Sequence, residues 1–231
     1  SDIDQRLWRW FNELKNLICC MFYLVKTPAW VKKVYSKRSW DISTEKKEIF
    51  LTFDDGPHPV QTLFVLDELR KYNAKATFFC IGKNVAAYPE IYSRIIEEGH
   101  AVGNHTHHHL NAWKVKDADY LANVLLAKKY IDSNLFRPPY GKINSFLVRQ
   151  LLSPAYALHT IMWTVLSGDF DINISKERCL ENVLLHTKEG SIVVFHDSEK
   201  AQEKMRFVLP QVLQYFNKKG YVFSRIETRH L

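Results

Sequence analysis

From residue 49 onward, short apolar runs of strand length alternate with longer segments of helical spacing, and this alternation leaves few architectures open. The runs are 49–53, 77–81, 100–102, 135–136, 157–163, 191–195 and 221–224, seven candidate strands. Between them lie the helical patterns 60–72, 89–98, 118–133, 145–152, 176–186 and 208–219. Pro89 suits a first helical turn, and Gly99, Gly190 and Gly220 suit the position just past a helix end. Pro210 implies that the last helix starts or bends near it. Strands and helices in alternation, joined by short connections, make a parallel sheet with helical crossovers, closed as a barrel or open and doubly wound. No Gly-x-Gly-x-x-Gly element follows a strand-like run, so a dinucleotide fold has no local support. With 231 residues, 46% of them hydrophobic, the chain has material for one sizeable core and a single α/β domain.

Residues 1–40 carry four of the six tryptophans and none of the polar clusters described below. They read as an N-terminal extension to a domain spanning 41–231. Within them Leu7, Trp10, Phe11, Leu14, Leu17 and Ile18 have helical spacing, which predicts an amphipathic helix against the body, a partner or a membrane surface, the body being the plainest choice. The longest apolar run, Leu17 to Val25, is about half the length of a membrane-spanning helix, so no transmembrane segment is expected. As the core of a signal peptide it is poorly framed, with Asp2, Asp4 and Glu13 upstream. Cys19, Cys20, Cys80 and Cys179 form neither a zinc pattern nor a disulfide framework and read as reduced, mostly buried thiols. A cytoplasmic chain is the expectation, with the cell envelope or secretion as the alternative. The net charge of +7 favours anionic surfaces or substrates. Its lysine pairs are scattered, however, and nucleic acid is not expected as a partner. Oligomeric state is left open.

The polar clusters fall where strands end. Asp54-Asp55 follows the first run, His105 to His109 the third, Arg137 to Gly141 the fourth, Asp169 the fifth and His196-Asp197 the sixth. In parallel α/β sheets and barrels these carboxyl ends converge on one face, where active sites are built. Neighbouring residues on an extended chain point opposite ways, which predicts different jobs for Asp54 and Asp55, one on a metal and one facing a water. Taken alone, Asp-Asp-Gly-Pro is also an ordinary turn. His105 and His109, four apart, would share a face of a helical turn and could bring two imidazole nitrogens to one ion, with Asp55 a suitable third ligand. A His-rich loop without an ion is the competing reading. Arg137-Pro138-Pro139-Tyr140-Gly141 is stiffened by its prolines and can hold an arginine and a backbone N–H at defined points. His58, His100, His107 and His108 are assigned to structure or to the rim of the site.

Together these residues resemble carbohydrate esterase family 4, the polysaccharide deacetylases that share the NodB homology domain. The family's first motif stands as Thr52 to Pro57, the second as His105 to His109, the third as Arg137 to Gly141, the fourth as Trp163 with Asp169, and the fifth as Val194-Phe195-His196. The resemblance covers about residues 48–225 and implies a distorted (β/α)7 barrel. It implies further that Asp55, His105 and His109 hold one divalent metal ion, zinc first and cobalt second, which polarises the substrate carbonyl. Asp54 would be the base, paired with and aimed by Arg137. His196 would be the acid, kept protonated by Asp169. The Tyr140 backbone N–H would face the oxyanion, and Trp163, Phe170 and Val194 would line the acetyl pocket or its rim. The substrate implied is an N-acetylated oligo- or polysaccharide, chitin oligomers or peptidoglycan. O-deacetylation of xylan and an inactive glycan-binding barrel are the alternatives. The chain departs from the family at Phe170, where many members have Trp, and at Val194, where they have Leu, which bears on substrate preference more than on chemistry.

Overall fold

Strand β1 (Glu48–Asp54) is the axis of the fold. All of its residues after Glu48 are buried, as its unbroken apolar run requires, because a strand covered on both faces has no solvent side for polar residues. Parallel neighbours flank it, β2 (Thr77–Cys80) on one side and β7 (Ile192–His196) on the other. In this computed structural model, which describes residues 24–228, the sheet runs β5-β4-β3-β2-β1-β7-β6. It is parallel throughout, with β3 (Ala101–Asn104), β4 (Leu135–Phe136), β5 (His159–Thr160) and β6 (Val165–Leu166). A short β8 (Val222–Phe223) pairs with the start of β1. Among the flanking helices are α1 (Ala29–Val34), α2 (Gln61–Lys71), α3 (Gly82–Ala87), α4 (Pro89–Glu97), α5 (Asp117–Lys128), α6 (Ser145–Leu151), α7 (Lys176–His186) and α8 (Gln202–Lys218). The curled sheet with helices outside it is the distorted (β/α)7 barrel expected. The amphipathic pattern from Leu7 to Ile18 and the pair Cys19 and Cys20 lie outside the described residues.

The strand period of two sorts β1 into two sets. Ile49, Leu51 and Phe53 join the large core under the helices, with Val65, Leu66 and Leu69 of α2 and Val208, Leu209 and Val212 of α8. Phe50 packs inside the curl with Phe79, Leu135, Ile161 and Ile192. Thr52 and Asp54 follow Phe50 on that inner side, as Val194 and His196 follow Ile192 on β7. The same alternation that fills the barrel therefore delivers a carboxylate and an imidazole to its open end.

Three expectations are corrected. The run at 157–163 forms a strand only at His159–Thr160, and a further strand, β6, lies at Val165–Leu166. Asp169 thus follows the sixth strand, and His196 ends the seventh. β6 is too short to show a period, and its partners, β7 and residues 25–26, are remote in sequence. The last helix starts at Gln202, six residues before the expected start. Its buried stripe of Met205, Val208, Leu209, Val212, Leu213 and Phe216 runs straight through Pro210, so packing outweighs the missing N–H.

The sheet's two end strands, β5 and β6, do not pair with each other. Residues 25–39 close the gap instead. Leu166 N–H donates to Val25 O at 2.9 Å and Thr27 N–H to Thr164 O at 2.9 Å, while the Thr27 hydroxyl donates to Trp163 O at 2.7 Å. On the β5 side, Ser39 N–H donates to Thr160 O at 3.0 Å, and Met162 N–H donates to Ser39 O at 2.7 Å. These bonds satisfy edge groups that would otherwise face solvent or another chain.

Candidate active site

At the carboxyl ends of the strands lies a cavity of about 560 Å³, within the range of small-molecule sites. Asp54, Asp55, His105, His109, Tyr140, Trp163, Phe170, Val194 and His196 all line it. Arg137 and Asp169, both 0% exposed, stand behind Asp54 and His196.

Asp54 and Asp55 do not diverge as neighbours on an extended chain would. Asp55 leaves the strand in a left-handed conformation (φ 83°), which turns its carboxylate toward the same cavity that Asp54 reaches from β1. Asn84 of α3 donates to the Asp55 backbone oxygen at 2.7 Å and holds the turn. Behind it Asp197, fully buried, accepts the Gly56 N–H at 3.0 Å and the Thr62 hydroxyl. A Cβ on Gly56 would fall 2.2 Å from the Asp197 carboxylate, so only glycine fits there. Burial pushes the Asp197 carboxyl up to about 7, against the Thr62 hydrogen bond.

His105 and His109 lie on a loop, not on the helical turn expected. Left-handed Thr106 (φ 64°) and His109 (φ 55°) fold it back so that the two rings sit 5.1 Å apart. Asn104 and Asn123 receive its backbone N–H groups, at 2.8 Å for Thr106 and 2.9 Å for His107 and His108. Such side-chain acceptors replace the bonds a helix would make, and isolated asparagines carry no periodic signal in the sequence.

The Asp55–His105–His109 cluster fits a divalent ion. One ligand atom from each residue lies within 4.8 Å of the others, and Asp55 Oδ1 is 3.2 Å from His109 Nε2 and 3.7 Å from His105 Nε2. Tetrahedral zinc, with bonds of about 2.0–2.2 Å, spaces its ligands by roughly 3.4 Å. Asp55 Oδ1 is buried and accepts no hydrogen bond, an orphan that a cation would satisfy. His105 Nδ1 lies 2.7 Å from Arg137 O, which makes that nitrogen the donor and leaves the Nε2 lone pair facing Asp55. Burial, opposed by Asp54, holds His105 down near 4 and so neutral, the form that ligates. Burial pushes the Asp55 carboxyl up, but His109, His196 and His105 around it more than reverse this and hold it well below the usual carboxylate range.

Arg137 is the most constrained side chain of the site. Its Nη1 donates to Asp54 Oδ1 at 2.8 Å and to Thr52 Oγ1 at 2.7 Å, while Nε and Nη2 donate to Ile161 O and Met162 O. The guanidinium also lies 4.1 Å from the Phe79 ring centroid. Opposite it, His196 Nδ1 is 2.8 Å from Asp169 Oδ1. Burial alone would lower His196, but the charge and hydrogen bond of Asp169 raise it to about 10. Asp54 and His196 are register partners on adjacent strands.

The rim carries the departures from the family. The Phe170 ring meets His196 edge-on at 5.1 Å, and Lys200 and Ser198 line the cavity beside it. Tyr140 (φ 60°) packs against His109 at 4.7 Å, and Gly141 (φ 66°) leaves room for Trp163, which would lie 2.5 Å from a Cβ there. In the sequence Thr52 stands out only as the start of the first motif, and Asn84, Asn104, Asn123 and Lys200 are passed over. Asp197 was noted there only as the neighbour of His196. Three of the four histidines assigned to structure or to the rim make structural bonds: His58 Nδ1 accepts Val60 and Gln61 N–H at the start of α2, His100 Nδ1 accepts Ala76 N–H, and His108 Nδ1 meets Asn123, whereas His107 Nδ1 is buried without a hydrogen-bond partner among the described residues.

Comparison with known proteins shows the family. The family profile described as polysaccharide deacetylase matches residues 41–156. A peptidoglycan-N-acetylglucosamine deacetylase of Bacillus cereus is 35% identical over 194 residues, 81% of this chain and 90% of that protein. The chain belongs to the polysaccharide deacetylase family, carbohydrate esterase family 4. Among other polysaccharide deacetylases, a chitooligosaccharide deacetylase of Bradyrhizobium is 33% identical, covering 70% of this chain and 75% of that one. The crystal structure of the Bc1960 peptidoglycan N-acetylglucosamine deacetylase superposes with a TM-score of 0.77 at 28% identity, over 87% of this chain and 95% of that one.

Proposed function

We propose that the chain hydrolyses the N-acetyl group of N-acetylglucosamine units in a glycan, peptidoglycan before chitin oligomers, and releases acetate. One observation carries this reading: a carboxylate held by Arg137 and an imidazole held by Asp169, Asp54 and His196, stand side by side on adjacent strands beside a three-ligand cluster with an orphaned oxygen. Deacetylases of this family are metal-dependent in general, and the ion held by Asp55, His105 and His109, zinc before cobalt, would polarise the acetyl carbonyl and acidify water.

The chain's own residues do the rest. Asp54, aimed by Arg137 and Thr52, takes a proton from the attacking water. The Tyr140 backbone N–H receives the oxyanion, a placement worth about 3 kcal/mol per donor. His196, held by Asp169, gives its Nε2 proton to the amide nitrogen as the C–N bond breaks, because an amine leaves poorly as an anion. Trp163, Leu166, Val194 and Phe170 supply an apolar wall for the acetyl methyl. The peptidoglycan preference rests on the Bacillus cereus relative and on Lys200 at the lip, a cation suited to the carboxylates that peptidoglycan carries and chitin lacks. Peptidoglycan lies outside the cytoplasm, so this reading goes with the cell envelope. Acetate release measured side by side on peptidoglycan, chitin oligomers and acetylxylan, with zinc or cobalt added, tests it. Release from acetylxylan alone would overturn it in favour of an O-acetyl esterase.

A further inference from the structure

A second cavity, of about 210 Å³, lies where the chain leaves α1 and shares no lining residue with the first. Tyr35, Lys37 and Arg38 line one side, and Ser145 and Arg149 of α6 the other. Three lining side chains are cations and none is an acid. Arg38 is 8% exposed; its Nη2 donates to Ile143 O at 3.1 Å, and its guanidinium lies 4.4 Å from the Tyr35 ring. Among the described residues, no carboxylate pairs with Arg38, Lys37 or Arg149. Cations gathered in a concave site with no counter-ion form a seat for an outside anion.

The surroundings say which kind of anion. Val34, at the lip, is 65% exposed, Trp30, one turn earlier on the same face of α1, is 66% exposed, and Phe146 on α6 is 46% exposed. Lys33 is exposed between the first two. A soluble phosphate or an acidic polymer would use the cations and leave these apolar side chains in water. A bilayer uses both, because tryptophan settles at headgroup depth while lysine and arginine meet lipid phosphates. The apolar run 17–25 ends just before α1 in the sequence. We propose that the face docks the chain onto an anionic phospholipid surface, with a lipid phosphate seated among Lys37, Arg38 and Arg149 and with Trp30, Val34 and Phe146 in the interface.

The test is co-sedimentation of the full chain with phosphatidylcholine vesicles, with and without phosphatidylglycerol. Binding should require the anionic lipid and weaken with salt. The double variant Lys37→Ala, Arg149→Ala should lose about five-fold per cation removed, roughly 25-fold in all. Trp30→Ser should weaken binding at constant charge. Acetate release from a soluble oligomer should be unchanged in each variant, since none touches the barrel mouth. Equal sedimentation of wild type with neutral and anionic vesicles, or of the double variant with wild type, would overturn the proposal. So would inorganic phosphate that raises the melting temperature of a chain that binds no vesicle, which would make the cavity a seat for a soluble anion.

Discussion

Asp169 holds His196 at two points: its Oδ1 lies 2.8 Å from Nδ1 of the ring, and its Oδ2 accepts the backbone N–H of the same residue at 2.7 Å. One carboxylate thereby fixes where the imidazole stands and leaves Nε2 to the cavity. It also sets the charge. The folded value of about 10 lies above the ordinary histidine value of about 6.5. The proton, and the stability it brings, are therefore fully present below the unfolded value and lost as pH rises through about 10.

Asp169→Asn should bring the His196 titration, followed by imidazole NMR, down from about 10, because burial is then opposed only by the charges of Asp55 and Asp54. Turnover of an amide substrate should fall by about 10²–10⁴-fold, and that of an activated acetate ester much less. Equal losses on both substrates would remove His196 from the role of proton donor.

The adjacent carboxylates should separate by metal content. Asp55→Asn weakens a charged ligand, so bound zinc and turnover should fall together and recover in part with excess zinc. Asp54→Asn leaves all three ligands, so zinc should remain while turnover drops by orders of magnitude and added metal does nothing. Elemental analysis beside a turnover assay decides. Near-normal turnover in Asp54→Asn would unseat the base.

Chelation of the wild-type chain should abolish acetate release, and zinc or cobalt should restore it. Full activity in a preparation shown by elemental analysis to be metal-free contradicts the mechanism.

Arg137→Met should destabilise the fold by about 3–5 kcal/mol, since it strands the buried Asp54 carboxylate. Adding Asp54→Asn to it should recover part of that loss in urea denaturation. Additive losses would mean that the packing of the guanidinium on Phe79, not its charge, is what the fold needs.

Removing residues 1–23 should leave a metal-binding enzyme active on small oligomers. Removing residues 1–40 should cost about 3 kcal/mol or more, roughly 10 °C in melting temperature, because the edges of β5 and β6 lose their partners. Equal melting temperatures for the two truncations would deny the segment its closing role.

Most of the fold, and the residues that gather at the cavity, could be read from the sequence, for physical reasons that also explain the failures. Long strands buried on both faces, such as β1 and β7, announce themselves as unbroken apolar runs. β6, two residues long and paired to remote segments, has no period to show. His105 and His109 were recognised by spacing, yet the helical turn expected was wrong, because asparagines elsewhere in the chain hold the loop. Asp54 and Asp55 were both found, but the left-handed φ that turns Asp55 into the cavity is enforced by Asn84 and Asp197, distant residues that nothing in the local sequence connects to it. Adjacency in sequence reveals the participants; what points them comes from contacts that only the folded chain makes.

Because Asp54 and His196 are register partners, the gap between the groups assigned to base and acid is ruled by the interstrand repeat of a parallel sheet, about 4.8 Å. That repeat is a property of peptide geometry and does not depend on side-chain packing. Tyr140, Phe170 and Lys200, which line the cavity where the proposed glycan would lie, sit on turns and loops beyond the strand ends. Recognition and proton transfer are mounted on separate parts. A lineage can retool the first, loop by loop, while the gauge of the second is handed down unaltered.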